Sequence, residues 1–479
     1  MNVLFAASEA VPVIKTGGLA DAAGALPKEL ASSGVRAAVI LPGYGAVSGS
    51  IRSSFRLVTE FRAGFRAAER TCRLLEATFE GVRYYLIEEP GYFGGQQMYG
   101  YRDTASRFVF FSMAVLDALP YLHVRPDIIH CHDWHTGWIP YLLKTKLCVE
   151  TNCRIRTVFT IHSLLYDGIM QTADLKAVTG EEAEAHSRLL ATADAGSCLR
   201  TGIRYADKLT TVSPAYAGEI LSAEFGGAYA GLLQERAQDL TGIVNGLDQD
   251  LFDPEHDGML AHTFTGDIMA AKRVNKLALQ RDLGLIASER IPLAGIVSRL
   301  VEPKGLDLLE EAMHQILQQT DLQIVVLGTG ERRYEEMLLR ASGLMPDRVA
   351  VRIGFDDALA RKIYAASDLY LMPSRVEPCG ISQLIAMRYG AVPVVRETGG
   401  LKDTVEAYDE YTGRGRGFRF QPYQAGAFLA TLHEALACYR HESLWRQIID
   451  NGAYADYSWS SSARQYKAVY NTLAGNGKG

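Results

Sequence analysis

The sequence lacks any apolar run approaching the ~18–20 residues that a membrane-spanning helix needs. Its opening segment, Met1–Ala10, has no basic residue, and Glu9 interrupts its short apolar stretch. We therefore predict a first β-strand there and no signal peptide. The chain also lacks a basic excess, because its formal net charge is -6. A phosphate-rich macromolecule would be repelled on average, so neither nucleic acid nor a membrane is expected as a partner.

Cysteine is sparse as well: the seven cysteines are odd in number and scattered along the chain. This usage predicts reduced thiols in the cytoplasm, and it disfavours a disulfide framework. The overall composition is that of an ordinary globular protein, with 48% hydrophobic and 22% charged residues. A chain of 479 residues is too long for one hydrophobic core, so more than one domain is expected.

Short apolar runs alternate with longer amphipathic stretches, and the pattern starts twice. The first set of predicted strands is Val3–Ala7, Ala37–Leu41, Tyr84–Ile87, Ile128–Cys131, Thr157–Ile161 and Leu209–Val212. The second set is Leu293–Val297, Gln323–Leu327, Val349–Ile353, Leu369–Met372 and Val392–Val395. Predicted helices include Asp21–Ser33, Arg107–Leu119 and Ser461–Leu473. The alternation predicts an α/β fold with parallel sheets covered on both faces.

We predict four segments from this organisation. The first domain spans 1–250, and the second spans 271–456. Between them, 251–270 is predicted to be a linker because it is polar and irregular and contains Pro254 and Gly258. The segment 457–479 follows an aromatic-rich turn and holds the final helix.

A short internal repeat supports two related halves. Thr16-Gly-Gly-Leu-Ala-Asp21 and Thr398-Gly-Gly-Leu-Lys-Asp403 agree at five of six positions, and each follows an apolar strand region. Paired glycines allow a tight turn and bring backbone N–H groups close to a ligand, and the next helix presents its positive end. With Lys15 beside the first copy, this loop suits an anion such as a diphosphate. By spacing alone it could equally be a plain strand-to-helix turn.

Two clusters in the second half carry the strongest chemical signals. Arg299 and Lys304 lie on one strand-to-helix connection, where a guanidinium and an ammonium suit phosphate oxygens. Glu377 lies in a loop constrained by Pro378, directly before a helix whose first N–H groups, from Gly380 onward, would suit a second phosphate. Cys379 has no sequence sign of an attached base, so we predict a packed residue beside the substrate and not a nucleophile.

Two other patterns suggest metals and are discounted. His130-Cys-His132-Asp133-Trp-His135 is rich in zinc-ligand types, but no remaining ligand set is evident and the residues span a strand end. Asp248-Gln-Asp250 has the D-x-D spacing of metal-dependent sugar transferases, but it follows Asn245-Gly246 in a turn. We expect no metal and no cofactor.

In order along the chain, these segments resemble the bacterial glycogen synthase and plant starch synthase family. The match covers nearly the whole chain. Each segment is short, but the occurrence of all of them together in the same order is highly specific. The segments that carry it are Lys15–Asp21, His130–Thr136, Thr160-Ile-His162, Tyr205–Pro214, Gly242–Gly246, Arg299 with Lys304-Gly305, Gly354-Phe355, Glu377–Gly380, Thr398–Leu401 and Ser458-Trp459.

The resemblance implies a GT-B fold, in which two Rossmann-like parallel-sheet domains face a central cleft and the C-terminal helix crosses back to the first domain. It implies a cytoplasmic glycosyltransferase that moves glucose from ADP-glucose to the non-reducing 4-hydroxyl of an α-1,4-glucan such as glycogen, with retention and without a metal. Glu377, Lys304, Arg299, His162 and Asp133 are the implied catalytic residues. The implied donor-binding residues are Lys15, Gly17, Gly18, Asn245, Arg299, Lys304, Glu377, Cys379, Gly380, Ile381 and Ser382.

In this resemblance Arg299 and Lys304 hold the diphosphate and stabilise it as it leaves. Glu377 contacts the glucose hydroxyls and stabilises positive charge at the anomeric carbon. No nucleophile for a double displacement is evident, which favours departure and attack on one face of the sugar.

The chain departs from the family pattern at a few places, which leaves sugar contacts and acceptor preference open. These are Ser163, Ser197, Phe252, Pro303 and Ser382. The alternatives are a related retaining transferase that uses UDP-glucose or a small acceptor, a catalytically inactive glucan-binding protein, and a nucleotide-sugar epimerase. Each is separable by assay.

Overall fold

The computed structural model describes residues 1–64, 69–101, 104–144, 155–170 and 196–475. The chain divides into two compact units. The first unit consists of Met1–Val212, Ala217–Gly246 and Trp459–Gly479, and the second of Ser213–Tyr216 and Leu247–Ser458. The last segment belongs to the first unit, in agreement with the predicted return of the C-terminal helix.

The described part of the first unit is built on one twisted sheet. Its strands are β1 (Asn2–Ala6), β2 (Arg36–Pro42), β3 (Arg56–Ala63), β4 (Arg70–Phe79), β5 (Val82–Glu88), β6 (Ile128–His132), β7 (Arg156–Ile161), β8 (Lys208–Thr211) and β9 (Leu240–Gly242). They lie in the order β3-β4-β5-β2-β1-β6-β7-β8-β9. The pairs β3–β4 and β4–β5 are antiparallel, whereas the other pairs are parallel. The six strands predicted for this half are all present.

The antiparallel strands β3 and β4 were not predicted. Their sequences alternate charged and apolar residues, as in Arg70-Thr-Cys-Arg-Leu, and β3 has little burial. An antiparallel edge with one solvated face does not need the continuous apolar run of a buried parallel strand. The prediction relied on such runs, and it therefore found the central strands and missed the edge.

Helices connect these strands. Those described before residue 247 are α1 (Gly18–Ser32), α2 (Gly49–Arg52), α3 (Pro90–Phe93), α4 (Thr104–Ala118), α5 (Trp138–Leu142), α6 (Cys198–Tyr205), α7 (Pro214–Glu219), α8 (Ala223–Gly226) and α9 (Ala230–Glu235). Short 3-10 turns lie at Leu119–Tyr121, Trp134–Thr136, Gly227–Tyr229 and Ala237–Asp239. The predicted helices at 21–33 and 107–119 correspond to α1 and α4.

The second unit has a sheet in which every described pair is parallel. Its strands are β10 (Leu293–Val297), β11 (Gln323–Gly328), β12 (Val349–Ile353), β13 (Leu369–Met372), β14 (Val392–Arg396) and β15 (Phe418–Phe420), in the order β12-β11-β10-β13-β14-β15. The five predicted strands match β10–β14. Their buried Val, Ile and Leu side chains form the core with the flanking helices.

The helices of this half alternate with the strands as predicted. They are α10 (Ile268–Leu283), α11 (Leu306–Gln319), α12 (Arg332–Leu344), α13 (Asp357–Ala366), α14 (Ser382–Arg388), α15 (Gly399–Thr404), α16 (Ala425–Tyr439) and α17 (Glu442–Ala453), with a 3-10 turn at Glu302–Lys304. The last helix, α18 (Trp459–Gly475), packs on the first unit. There Tyr470 Oη lies 2.8 Å from His130 Nδ1 and Lys467 Nζ donates to Ser33 O at 2.9 Å.

The segment predicted as a linker, 251–270, differs from that expectation because it lies within the second unit. Phe264 is 5% exposed and packs in a core cluster with Tyr389. The Asp257 carboxylate accepts from Arg361 at 3.1 Å and from the Tyr389 hydroxyl at 2.6 Å. The polar, irregular sequence of this segment indicates little regular secondary structure. It does not exclude that single residues of the segment pack in the core.

Across the described residues, none of the helices combines the length and the apolar character that crossing a bilayer would require.

Candidate active site

The predicted residues of the first unit lie at one edge of its sheet. The Lys15 loop follows β1, Asp133 follows β6 and His162 follows β7. These three strands are neighbours and parallel, so their carboxyl ends meet. Ligands of open α/β sheets bind at that edge.

The first Thr-Gly-Gly-Leu loop is exposed, but its backbone donors are partly used inside the protein. The buried Glu9 carboxylate, 4% exposed, accepts from the Thr16 backbone N–H and from the Thr16 hydroxyl, the latter at 2.8 Å. Burial raises the pKa of Glu9, against the lowering effect of these hydrogen bonds. Lys15 forms an ion pair with Asp21 at 2.7 Å. Gly17 precedes α1, which begins at Gly18, so the helix end faces this loop.

Asp133 is held in an unusual backbone conformation. Its φ of 56° lies in the left-handed region, which a non-glycine residue adopts only where its surroundings impose it. Its carboxylate accepts from the His162 backbone N–H at 2.8 Å. Burial raises the pKa of Asp133 to about 7. This geometry joins the ends of β6 and β7, and it places a strained acid in the site.

A stack of histidines lies behind Asp133. His132 Nδ1 and His162 Nε2 are 2.9 Å apart, and the His130 ring lies 4.3 Å from the His132 ring between centroids. Burial lowers the pKa of His130 and of His162 to about 3, and it also lowers the pKa of His132. These rings are therefore neutral near pH 7. Asn245, the remaining predicted residue of this unit, is 4% exposed.

In the second unit, the two strongest predicted residues are in direct contact. Lys304 Nζ donates to Glu377 Oε2 at 2.6 Å, and Ser374 Oγ donates to the same oxygen at 3.1 Å. The Glu377 side chain is 7% exposed and that of Lys304 is 21% exposed. Arg299 follows β10 and is exposed. The pair places a cation and a buried carboxylate together at the carboxyl edge of the second sheet.

Close backbone packing fixes the loops that carry this pair. Gly305 has a φ of 74°, and a Cβ there would lie 2.0 Å from the Pro373 carbonyl oxygen. Pro303 O accepts from Arg375 N at 2.9 Å, so the two loops are hydrogen-bonded to each other. Only glycine fits this approach. The position of Lys304 relative to Glu377 is therefore set by the backbone.

The residues after Glu377 form a turn into α14. Cys379 is buried, as predicted, at 5% exposure. Gly380 has a φ of 73°, and Ile381 is the N-cap of α14. Ser382 is the first residue of α14. Binding of a donor phosphate by the N–H groups at this helix start stays a prediction.

The second Thr-Gly-Gly-Leu loop supports the Glu377 loop. Gly400 N donates to Glu377 O at 3.1 Å, and a Cβ on Gly399 would lie 2.0 Å from that same oxygen. Thr398 is fully buried. This copy of the repeat therefore contacts the backbone of the predicted catalytic loop.

The two discounted metal patterns have other contacts. The His130 ring bonds Tyr470 and Thr160, the latter at 2.6 Å through Nε2. Asp248 Oδ1 accepts from Asp250 N at 3.1 Å, which closes a turn. Among the described residues no group of three or more His, Cys, Asp or Glu side chains has the arrangement of a metal site.

Several departures from the family pattern have structural roles. Ser197 caps α6 by accepting from Arg200 N at 3.1 Å, and its hydroxyl lies 3.0 Å from Tyr229 Oη. Phe252 keeps an aromatic face 4.7 Å from the Arg361 guanidinium. Ser163 Oγ accepts from Leu165 N at 3.2 Å. None of these three departures removes a charged group from the predicted site residues of the first or of the second unit.

The fold is shared with solved glycosyltransferase structures. The catalytic domain of starch synthase IV from Arabidopsis thaliana, bound to ADP and acarbose, matches with a TM-score of 0.89 and 32% identity over 99% of both chains. Sucrose-phosphate synthase from Thermosynechococcus elongatus matches with a TM-score of 0.62 and 18% identity, which supports the fold alone. The two parallel-sheet units and their charged strand ends define a glycosyltransferase of the GT-B fold.

Sequence comparison gives the family. Residues 2–235 match the profile of the starch synthase catalytic domain, and 286–453 match glycosyl transferases group 1. Glycogen synthases from Desulforamulus reducens and Clostridium novyi are 43% and 44% identical to this chain, each over at least 99% of both sequences. The chain belongs to the glycogen synthase and starch synthase family.

Two residues with a structural claim on the site were not predicted. Glu9 was used only as an argument against a signal peptide, and His132 only within a discounted zinc pattern and within the matching segment His130–Thr136, with no role of its own. Glu9 lies two residues after the predicted strand Val3–Ala7, and His132 is the last residue of β6, so both lie near the sheet edge where ligands bind. Polar residues at the carboxyl end of a buried parallel strand are the signal that would have found them.

Proposed function

We propose that this protein transfers glucose from ADP-glucose to the non-reducing 4-hydroxyl of an α-1,4-glucan, with retention at the anomeric carbon, and so elongates glycogen. The observation that carries the proposal is the contact of Lys304 with the buried Glu377 at 2.6 Å. The names of the similar glycogen synthases, and the ADP and acarbose bound to the similar starch synthase, support this donor and acceptor.

The charges suit a reaction in which a diphosphate leaves a sugar. Lys304 and Arg299 stabilise the negative charge that develops on the departing phosphate. The Lys304 ammonium has three donors, so it can contact the phosphate while it holds Glu377. Glu377 faces the positive charge that develops at the anomeric carbon, and it orients glucose hydroxyls as an acceptor. Lys304 stabilises the negative charge on the leaving phosphate, and Glu377 stabilises the positive charge at the anomeric carbon. With both charges stabilised, the proposed reaction needs no covalent intermediate.

The first unit supplies the remaining groups. Lys15 adds a cation, and Asp133, His162 and Asn245 add short-range polar contacts to the sugar. Glu9 holds the Lys15 loop in place. No metal takes part in this proposal, since the protein cations carry the role that Mg²⁺ has in metal-dependent transferases.

A donor–acceptor assay tests the proposal. ADP-glucose and UDP-glucose are compared with glycogen as acceptor, and the new linkage and its anomeric configuration are read by NMR. We expect α-1,4 extension from ADP-glucose. Preference for UDP-glucose or for a small acceptor would support the related transferase, an epimerised donor without acceptor would support an epimerase, and binding without turnover would support an inactive glucan-binding protein.

A matched pair of variants tests the role of Lys304. Lys304→Gln removes the charge next to Glu377. We expect kcat/KM to fall by an amount equal to a rise of ~2.7–4 kcal/mol in the activation free energy, with little change in thermal stability. Lys362→Gln is the control, because Lys362 forms an exposed ion pair with Asp282 at 3.5 Å. Near-normal turnover of folded Lys304→Gln protein would contradict the proposed role.

A further inference from the structure

The histidine stack of the first unit includes His162, one of the predicted catalytic residues. His132 Nδ1 and His162 Nε2 share one hydrogen bond of 2.9 Å. His130 and His132 are buried at 0% and 1% exposure, whereas His162 is only partly buried. His162 is therefore the member of the stack that a ligand can reach.

The shared bond holds a single proton. Burial keeps all three rings neutral near pH 7, because it lowers the pKa of each far below its ordinary value. A neutral imidazole has one donor and one acceptor nitrogen. Either His132 donates from Nδ1 to His162 Nε2, or His162 donates from Nε2 to His132 Nδ1, and the two arrangements leave different nitrogens protonated.

The far side of His132 decides between them. Its Nε2 is buried and has no hydrogen-bond partner among the described residues. If His162 were the donor, His132 would carry its proton on this nitrogen, as a buried N–H without an acceptor. Orphaned N–H groups are rarer in proteins than under-satisfied acceptors. The lower-cost arrangement has His132 protonated on Nδ1, with an unpaired lone pair on Nε2.

The orientation of the His132 ring is fixed by its neighbours. The His130 ring lies 4.3 Å away between centroids, and Phe5 stacks on His132 at 5.7 Å and 25°. His130 is itself held by Tyr470 at one nitrogen and by Thr160 at the other. A flip of the His132 ring would break the bond to His162, so the ring orientation and the proton position are coupled.

We propose that His132 is a positioning residue that fixes His162 in the tautomer protonated on Nδ1, so that His162 presents a hydrogen-bond donor to a hydroxyl oxygen of the sugar substrate. Among the described residues no hydrogen bond involves His162 Nδ1, which leaves that N–H for the ligand. The choice of a sugar hydroxyl rests on the proposed function, whereas the tautomer does not.

NMR of histidine labelled with ¹⁵N tests the tautomer directly in the full-length protein. The His162 signals are assigned by their loss in His162→Gln. We expect His162 Nδ1 to show the shift and proton coupling of a protonated nitrogen and Nε2 those of an acceptor, at pH 7 and without substrate. Protonation of His162 on Nε2 overturns the proposal, and this readout holds whether or not ADP-glucose proves to be the donor.

Variants at 132 test the positioning role. The Asn amide nitrogen takes the place of Nδ1, whereas the Gln amide nitrogen takes the place of Nε2. We expect His132→Asn to keep kcat within about threefold and His132→Gln to lose up to about 100-fold, since displacement of a site residue by an ångström can cost that much. ADP affinity and the melting temperature should be alike in the two variants.

Equal kcat in His132→Asn and His132→Gln overturns the positioning role, whether both are active or both inactive. An equal loss that accompanies a lowered melting temperature would assign His132 to the core alone. If the natural protein turns over no ADP-glucose, the proposed function fails, and the NMR result still decides the tautomer.

Discussion

The two Thr-Gly-Gly-Leu loops have the same sequence and opposite surroundings. The first is exposed, and a Cβ on Gly17 would meet its nearest atom, Glu9 Oε1, at 3.8 Å. The second is buried, and a Cβ on Gly400 would lie 2.0 Å from the Cys379 carbonyl oxygen. The first loop is therefore free to contact a ligand, while the second supports the backbone of another loop. The repeat records a shared strand-to-helix turn, and the neighbours of each copy decide its task.

The two units also differ in the charge state of the groups at their candidate sites. In the first unit the interior behind the site consists of neutral histidines and of carboxylates whose pKa values are raised, Glu9 and Asp133. In the second unit the central groups are the oppositely charged Lys304 and Glu377 in contact. The buried histidines of the first unit's site are neutral near pH 7, whereas Lys304 and Glu377 form an ion pair. We therefore expect the stability of the two units to depend differently on pH.

The largest expected effect is acid destabilisation of the first unit. The unfolded chain protonates its histidines below pH ~6.5, whereas burial holds the pKa of His130, His135 and His162 near about 3 in the folded protein. The unfolded state then binds more protons, so stability falls as pH drops from ~6.5 towards about 3. Asp133, between ~4 and about 7, and Glu9, with its raised pKa, act in the opposite direction, but they are two groups against four histidines whose pKa values are lowered.

Hydrogen exchange read by mass spectrometry resolves the two units in one experiment. We expect protection of first-unit peptides to fall steeply between pH 7 and pH 5, after correction for intrinsic exchange, and that of second-unit peptides to change much less. In the second unit, burial lowers the pKa of Lys272 to about 7, so its contribution to stability changes with pH only above about 7 and is constant between pH 5 and pH 7. Parallel loss of protection in both units would contradict the comparison.

The next largest effect is a difference between the glycines of the two loops. Gly400→Ala inserts a methyl group against a backbone carbonyl, so we expect a loss of ~1–3 kcal/mol in the free energy of unfolding, together with a loss of turnover as the Glu377 loop shifts. Gly17→Ala has space and an extended φ of -157°, so its effect should lie within ~0.5 kcal/mol. Urea unfolding and kcat measure both, and equal losses in the two variants would show that the loops are alike.

A smaller effect is expected at Glu9, whose carboxylate accepts hydrogen bonds from Thr16 of the first loop. Glu9→Ala removes the acceptor of the Thr16 N–H, but Thr16 is exposed and water can replace that acceptor, so we expect ~0.5–1.5 kcal/mol lower stability and a higher KM for the nucleotide sugar. Glu9→Gln keeps an acceptor oxygen and should lie between this variant and the natural protein. Urea unfolding and initial rates give both quantities. An unchanged KM in Glu9→Ala would mean that the loop holds its shape without this carboxylate.

Much of the fold was predictable because buried parallel strands need continuous apolar runs. All eleven predicted strands exist, and so does the return of the last helix. The edge strand β3 and its neighbour β4 were not predicted, because charged residues interrupt their apolar pattern. The segment 251–270 was misjudged because a few anchors, such as Asp257 and Phe264, pack an irregular stretch without leaving a periodic signal.

The candidate site was predictable where residue chemistry alone identifies it. Lys304 and Glu377 were predicted separately, and their contact is a product of folding. Their positions near strand ends would mark Glu9 and His132 as candidates, but their roles depend on hydrogen bonds to Thr16 and His162 that sequence spacing does not encode. The two halves of the repeat looked equivalent for the same reason: burial distinguishes them, and burial is set by the neighbours.

The smallest expected effect concerns the Lys15–Asp21 ion pair beside the exposed loop. Its atoms are 2.7 Å apart, but the side chains are 44% and 24% exposed, so solvent and salt screen the attraction. A double-mutant cycle with Lys15→Met and Asp21→Asn should give a coupling of ~0–1 kcal/mol in urea unfolding, falling further at high salt. A larger, salt-independent coupling would show that this loop is locked internally like its buried counterpart. The contrast between the two loops would then rest on exposure alone.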